Sequence, residues 1–409
     1  MKKYFFFAAA ALVALAACSK VETDFNVTDP GNKIAFTVAD YSQQTKADET
    51  SLATGEDGIY SFHTYATQFP EIGDAVVFMS DVEIKAWNST PAVVTSGDEI
   101  YTWAPEQDYF WPKTGYINFF SYAGTKSPAT KTVSDDKKTV TYDYGTVTIA
   151  NNDNILVADA ALHFNSNTRA SGDTYHKDHV SAGVPTLFRH QLAKVKFIVH
   201  LKTTQTASTN TTWKVRTIAS ETISSVDYAS TLTIVKNGSL KLQNVDGLAA
   251  DATKNTTTQS WSAVVGESAN VDGWIAGTAE SDKEVITLTS QTLTIPTNEQ
   301  ESQESDPAYL IAERTVMPQL TSGTKFVLYY EVSASHDNFV TDPFLKEIRS
   351  VGVDVDKTME ALVPTISDWN KNTKITYTIN IDPVSEKVTF DPAVEKWAEE
   401  EGSINVPLS

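Results

Sequence analysis

Few side chains in this sequence stand at spacings that could do chemistry. The one histidine pair lies in His176-Lys177-Asp178-His179. Two imidazoles so close could share a divalent metal, but they sit in a polar stretch where a solvated turn accounts for them. Asn151-Asn152-Asp153-Asn154 has the oxygen-rich composition of a calcium loop without the Asp/Asn alternation and closing Glu of an EF-hand. Turn chemistry before a strand at Ile155 explains it. Glu395, Glu399, Glu400 and Glu401 form an acidic run with no facing partner in sequence, so the two-carboxylate chemistry of glycosidases does not follow from them. Trp111, within Tyr109-Phe110-Trp111-Pro112, could offer a platform to a sugar ring, although aromatics of this kind also fill sandwich cores. The sequence contains no G-x-S-x-G, H-E-x-x-H, G-x-x-x-x-G-K-S/T or G-x-G-x-x-G. The chain is therefore expected to be a non-enzyme, with no cofactor and no metal.

The remaining reactive group is Cys18, the only cysteine, so no disulfide forms within the chain and no Cys-based zinc site exists. Its position is informative. Lys2 and Lys3 make a positive start, and Tyr4 to Ala17 carries no charge. That stretch is shorter than the roughly 20 residues a spanning helix needs, which marks a signal peptide over residues 1–17. It ends Leu15-Ala16-Ala17-Cys18, which resembles a bacterial lipobox, where the cysteine is acylated and becomes the new N-terminus. Several buried acyl chains, at about 0.8 kcal/mol per CH₂, would tether the protein outside the cytoplasm without a span of its own.

These groups need a scaffold. Of 409 residues, 41% are hydrophobic and 21% charged, enough apolar content for a sizeable core and for two or three domains at about 150 residues each. With 32 Lys and Arg against 52 Asp and Glu, the formal charge of −20 repels phosphate backbones, so nucleic acid is not an expected partner. Val195, Phe197, Val199 and Leu201 put apolar residues at every second position, as do Ile375, Tyr377, Ile379 and Ile381. This is the period of half-buried strands. Thr231 to Val235, then Lys236-Asn237-Gly238-Ser239, then Leu240 to Leu242 reads as a hairpin with an Asn-Gly turn. Helical periodicity is confined to two short candidates, Asp391 to Glu400 and Thr341 to Glu347. The fold class predicted is all-β, built of antiparallel sandwiches. A polar stretch from Asn165 to Gly183 places a boundary near Val184. It would divide an N-terminal sandwich (47–183) from a C-terminal one (184–409).

Several segments together resemble the fimbrillin family of Bacteroidia, the subunits of type V pili. They are the lipobox, Tyr109-Phe110-Trp111-Pro112 with Ile117-Asn118-Phe119-Phe120-Ser121-Tyr122, and Asn154-Ile155-Leu156-Val157-Ala158. Phe188-Arg189-His190-Gln191-Leu192-Ala193-Lys194-Val195, Trp369-Asn370-Lys371-Asn372, Val388-Thr389-Phe390-Asp391-Pro392 and Val394 to Trp397 complete the pattern. The resemblance spans almost the whole chain and implies two tandem transthyretin-like β-sandwich domains after a lipoprotein signal peptide.

It also implies a mechanism. Family members reach the outer membrane as lipoproteins, and a protease then removes the segment that carries the acylated cysteine and the first strand. The groove left open takes a donor strand, usually the C-terminal segment of another subunit. Here the lipidated segment would be 18–46, with a first strand presenting Ile34, Phe36 and Val38 on one face and processing between Lys46 and Ala47. The well-studied cleavage follows an arginine, and this sequence has lysine. At the other end Ile404, Val406 and Leu408 alternate within 403–409, a candidate donor strand that contains Pro407. Partners implied are other pilus subunits, the outer membrane through the lipid, and a host or bacterial surface glycan or protein. The place implied is the cell surface, in a fimbrium. The competing expectations are a monomeric glycan-binding surface lipoprotein, and a pilus anchor or tip that keeps its lipid.

Overall fold

The computed structural model describes residues 33–40, 59–88, 92–94, 100, 102–112, 114–164, 183–203, 211–244, 261–263, 273–295, 303–304, 309–320, 324–336, 345–354, 368–383 and 387–396. The all-β expectation holds: the named elements here are strands and one short 3-10 turn at Glu280–Asp282. The pairing is antiparallel apart from two parallel pairs described below.

The first described strands are β1 (Phe36–Asp40), β2 (Ser61–Phe69), β3 (Val76–Trp87), β4 (Thr102–Pro105) and β5 (Tyr116–Gly124). β6 (Thr130–Val133) and β7 (Val140–Thr148) leave for another layer, and β8 (Ile155–Ala158), β9 (Ala161–Phe164) and β10 (Val184–His190) return. The hydrogen-bonded order is β2-β3-β4-β1-β10-β8-β5, and β2 also pairs with β5, so seven strands close into a ring with β9 added to β5. Closure leaves these strands without an open edge. Phe36, Phe62, Trp103, Trp111, Phe119 and Phe188 are among the side chains that fill the interior.

Two residues after β10 the chain enters β11 (Ala193–Thr203), then β12 (Thr211–Ile218), β13 (Ser220–Ile223), β14 (Val226–Ala229) and β15 (Thr231–Val235). β16 (Asn237–Asn244), β17 (Trp261–Ala263) and β18 (Trp274–Ala276) join β6 and β7 in a five-stranded sheet. That sheet packs on the outside of the ring through Tyr122, Tyr142, Leu240, Leu242 and Trp274. β5 is thereby buried on both faces: Ile117 and Phe119 point into the ring while Phe120 and Tyr122 point into this outer layer. Its unbroken apolar run follows from that double burial.

The rest of the chain supplies β19 (Lys283–Thr287), β20 (Thr292–Ile295), β21 (Gln303–Glu304), β22 (Tyr309–Val316), β23 (Gln319–Leu320) and β24 (Lys325–His336). The last described strands are β25 (Leu345–Asp354), β26 (Asp368–Trp369), β27 (Thr373–Asp382) and β28 (Lys387–Lys396). Strands β11, β21, β22, β27 and β28 form one sheet, and β12, β15, β19, β20, β24 and β25 the facing one. β11 and β27 pair in parallel from Ala193↔Thr373 to Leu201↔Ile381. Their inward residues meet Leu232, Phe326, Leu328 and Val332 from the other sheet. The Phe197 ring is stacked between Phe326 at 5.0 Å and Tyr377 at 4.9 Å.

Three local expectations are corrected. The hairpin at Asn237-Gly238 does not form: β15 pairs with β19 and β24, whereas β16 pairs with β7, β17 and β18. Only Lys236 separates them, so the chain steps from one sheet to another. Gly238 serves a close approach, because a Cβ there would lie 2.6 Å from Met317 Sδ and 2.8 Å from the Ile275 carbonyl oxygen. The two helix candidates lie on strands where they are described, at residues 391–396 and 345–347, and residues 397–400 and 341–344 lie outside the described residues. Lys387–Lys396 runs antiparallel to Thr373–Asp382, and Leu345–Asp354 runs antiparallel to β24. Each lies on a long neighbouring strand whose backbone groups it pairs, and that outweighs a weak local helical pattern. Pro392 is tolerated because β28 is an edge strand among the described residues.

Strand pairing also runs across residue 184, since β10 belongs to the ring and β16 pairs with β7. The junction is hydrogen-bonded. The indole N–H of Trp274 donates to the Gln191 carbonyl at 2.8 Å, and the Asn372 N–H to the Leu192 carbonyl at 2.9 Å. His190 lies 3.1 Å from Asn154 Oδ1, and burial pushes its ring down to about 3, so it stays neutral.

A polar staple ties the ring to the outer layer. Asp81 of β3 accepts hydrogen bonds from the Tyr122 hydroxyl at 2.7 Å and the Lys131 ammonium at 2.8 Å. Burial alone would raise the Asp81 pKa, but these two donors outweigh it and hold it below the usual value. Its contribution is therefore complete above the unfolded value of about 3.9 and lost as pH falls through the lower folded one. Asp81→Asn should lower stability by about 1–3 kcal/mol at pH 7. It should also shrink the fall in stability between pH 5 and pH 2. Urea unfolding at both ends of that range checks it, and an unchanged acid limb would count against the staple.

Candidate functional site

The structure places the expected first strand inside the ring. β1 lies between β4 and β10, paired antiparallel with β4 at Phe36↔Trp103 and parallel with β10 from Phe36↔Val184 to Asp40↔Phe188. Alternation does the positioning: Ile34 and Phe36 are 2% and 4% exposed, Val38 packs against the same core, and Thr37 faces solvent. The Phe36 ring meets Phe62 and Phe119 edge-on at 5.5 and 5.7 Å. Burying Ile34 and Phe36 stabilises the ring by about 1.5–3 kcal/mol each.

Backbone bonds continue the ladder before the strand proper. The Ile34 N–H donates to the Tyr109 carbonyl at 2.7 Å, and the Val184 N–H donates to the Ala35 carbonyl at 2.8 Å. Because the Val184 N–H points at β1, the nitrogen of Pro185 faces the opposite side, where β8 pairs only with Phe188 to His190. A proline is thus accommodated without losing a bond. Gly183, at φ +74°, passes so close to β1 that a Cβ would lie 3.0 Å from the Thr37 nitrogen. Sequence reasoning found the strand and missed the slot that holds it. The available signal was Gly183 followed by Val184-Pro185, a glycine and a proline at the start of an apolar run.

Taking β1 away would leave a slot between β4 and β10, floored by Phe62, Phe119 and Phe188 and lined by unpaired backbone groups of both neighbours. Such a slot can accept an extended segment by β-augmentation. Cys18, Lys46, Ala47, Ile404, Val406 and Leu408 lie outside the described residues, as do His176 and His179. Trp111 is 7% exposed and packs edge-on against Phe119 at 5.7 Å, so its ring is part of the ring core and offers no face to a sugar. Asn151 to Asn154 form the turn before β8, with the Asp153 N–H donating to the Ala150 carbonyl at 3.0 Å. Among the described residues no group of three or more His, Cys, Asp and Glu is gathered to hold a metal ion. No helix among them is long and apolar enough to cross a membrane.

No protein-family model matches the chain, and no curated protein sequence matches it. Among solved structures, its neighbours are fimbrial and cell-adhesion proteins. A fimbrial protein from Bacteroides vulgatus is similar at 15% identity and a TM-score of 0.48, over 89% of this chain and 99% of that one. The fimbrial anchor protein Mfa2 from Porphyromonas gingivalis is similar at 11% identity and a TM-score of 0.26, over 89% and 98%. The tip fimbrial protein Mfa3 from the same organism is similar at 9% and 0.31, over 89% and 98%.

Proposed function

We propose that this chain is a structural and adhesive subunit of a fimbrium, exported as a lipoprotein on Cys18 and assembled by strand exchange after proteolysis at Lys46-Ala47. The observation that carries the reading is the position of β1. It is a central strand of a closed ring, yet it stands at the N-terminal end of the described chain, before residues 41–58 and a basic candidate cut site. A strand so placed can be removed without cutting any other described element. The ring would then gain two unpaired edges and an apolar slot, which a second copy can fill with Ile404, Val406 and Leu408 in the places of Ile34, Phe36 and Val38. The partners are other subunits of the same kind, and the place is the outer membrane and cell surface.

A second reading follows from the same ring. With β1 seated, every ring strand is paired on both sides, so an uncut chain would keep its lipid and serve as an anchor or tip, or as a solitary surface lipoprotein. N-terminal sequencing of the native surface protein separates the two. A free Ala47 is the expected result, and a blocked Cys18 on the mature protein would show that the strand is never released.

A further inference from the structure

We infer that the ring carries a binding site for a neutral sugar, where a pyranose unit lies on the outer face of Phe69 at the end of a stack with Tyr116 and His163. The inference deepens the adhesive half of the reading above and rests on it, but it does not need strand exchange. Three strands supply the stack. On the outside of the ring the paired residues of β2 and β5 run His63↔Tyr122, Tyr65↔Phe120, Thr67↔Asn118 and Phe69↔Tyr116. The outer layer packs on Phe120 and Tyr122, whereas Phe69 and Tyr116 are half-buried and stand apart from that core. Their rings lie face to face, 4.7 Å apart and 11° from parallel. His163 of β9, also half-buried, meets Tyr116 edge-on at 4.5 Å.

The backbone fixes these rings. His163 has φ +64°, left-handed for a residue with a side chain, and its N–H donates to Asn118 Oδ1 at 2.8 Å. Gly115, at φ +78°, brings the start of β5 so close to the end of β2 that a Cβ would overlap the Phe69 carbonyl oxygen. The stack also stands away from the second half of the molecule. Gly124, at the other end of β5, pairs with Ile155, whose carbonyl accepts the Gln191 N–H at 2.8 Å.

The chemistry around the stack selects the ligand. The C–H groups on one face of a pyranose are apolar and carry a partial positive charge, which the negative face of an aromatic ring attracts. Phe69 is the last ring of the stack among the described residues, so its outer face is the place for such a unit. Val77, 40% exposed and paired with Thr67, adds apolar surface on the neighbouring strand. One pair inward, Thr67 is wholly buried and its hydroxyl has no hydrogen-bond partner, which leaves an unsatisfied donor bordering the stack. Glu71 and Asp74 are exposed in the loop that follows Phe69. Carboxylates accept hydrogen bonds from sugar hydroxyls, and an aromatic face with a few polar groups beside it is the make-up of a small-ligand site. The same carboxylates, on a chain of formal charge −20, disfavour sialylated or sulfated glycans.

The test uses the uncut chain from Ser19, titrated by calorimetry with tetrasaccharides of β-1,4-linked glucose, galactose and N-acetylglucosamine, and with sialylated lactose as the charged control. At least one neutral probe should bind with a Kd of about 1 mM or tighter. Phe69→Ala should weaken that binding roughly tenfold, and Phe69→Trp, which keeps an aromatic face, should retain it. Thermal melting of both variants checks that the ring is still folded. A parent that binds none of the neutral probes, or that prefers the sialylated one, overturns the inference. So does binding that Phe69→Ala leaves unchanged. The uncut chain keeps its first strand, so a failure of strand exchange does not touch this result, and ladders formed by a chain that binds no sugar would overturn the site alone.

Discussion

Cutting after Lys46 should turn a monomer into ladders that resist mild SDS, and removing Ile404 to Ser409 should leave the cut chain monomeric. The expectation follows from what β1 holds together. Its departure uncovers a floor of buried aromatics and the bonding edges of β4 and β10. Three incoming apolar side chains recover on the order of 5–9 kcal/mol. Ordering the tail opposes this by about 1–2 kcal/mol per residue, so side-chain burial alone does not hold it. The ladder bonds to Val184–Phe188 must add to it, which makes the exchange cooperative and slow to reverse. Gel electrophoresis before and after cutting, with and without the tail, gives the answer. Ladders that survive the deletion would identify a different donor, and a cut chain that stays monomeric at every concentration would remove the strand-exchange mechanism.

Phe36→Ala should cost the intact chain about 3–5 kcal/mol, the largest effect expected of any single substitution in the first strand. The ring of Phe36 is 4% exposed and touches Phe62 and Phe119 edge-on, so truncation leaves a cavity at the centre of the ring. Thr37→Ala, one residue along on the solvent face, should stay within about 0.5 kcal/mol. Urea unfolding of the uncut protein checks both. The same variant should release its strand faster once cut, because Phe36 anchors only the leaving segment and does not change the slot. A Phe36→Ala chain as stable as the parent would mean that β1 is an ornament of the ring and that its removal opens nothing.

Alternation of apolar residues determined much of this protein without a structure. It marks β1 through Ile34, Phe36 and Val38, β11 through Val195 to Leu201 and β27 through Ile375 to Ile381, and with them the all-β class. Side-chain direction along a strand depends only on the local period of two, which is why these segments and their inward faces were legible. The aromatic run of β5 was legible as core, though its burial on two faces was not.

Which strand lies beside which was decided only in three dimensions. Nothing in Thr231 to Leu242 says that β15 and β16 part company, because an Asn-Gly pair between two alternating runs looks the same whether it turns or crosses between sheets. The helix candidates failed for a related reason: Leu345–Asp354 and Lys387–Lys396 take their conformation from the bonding edges of β24 and β27. The slot itself joins Phe36 to Val184 and Trp103, residues distant in sequence, and the face turned by Trp111 depends on Phe119 beneath it. A period is written into neighbouring residues, whereas pairing and burial depend on backbone edges and core space supplied from elsewhere in the chain, and only the folded molecule brings those together.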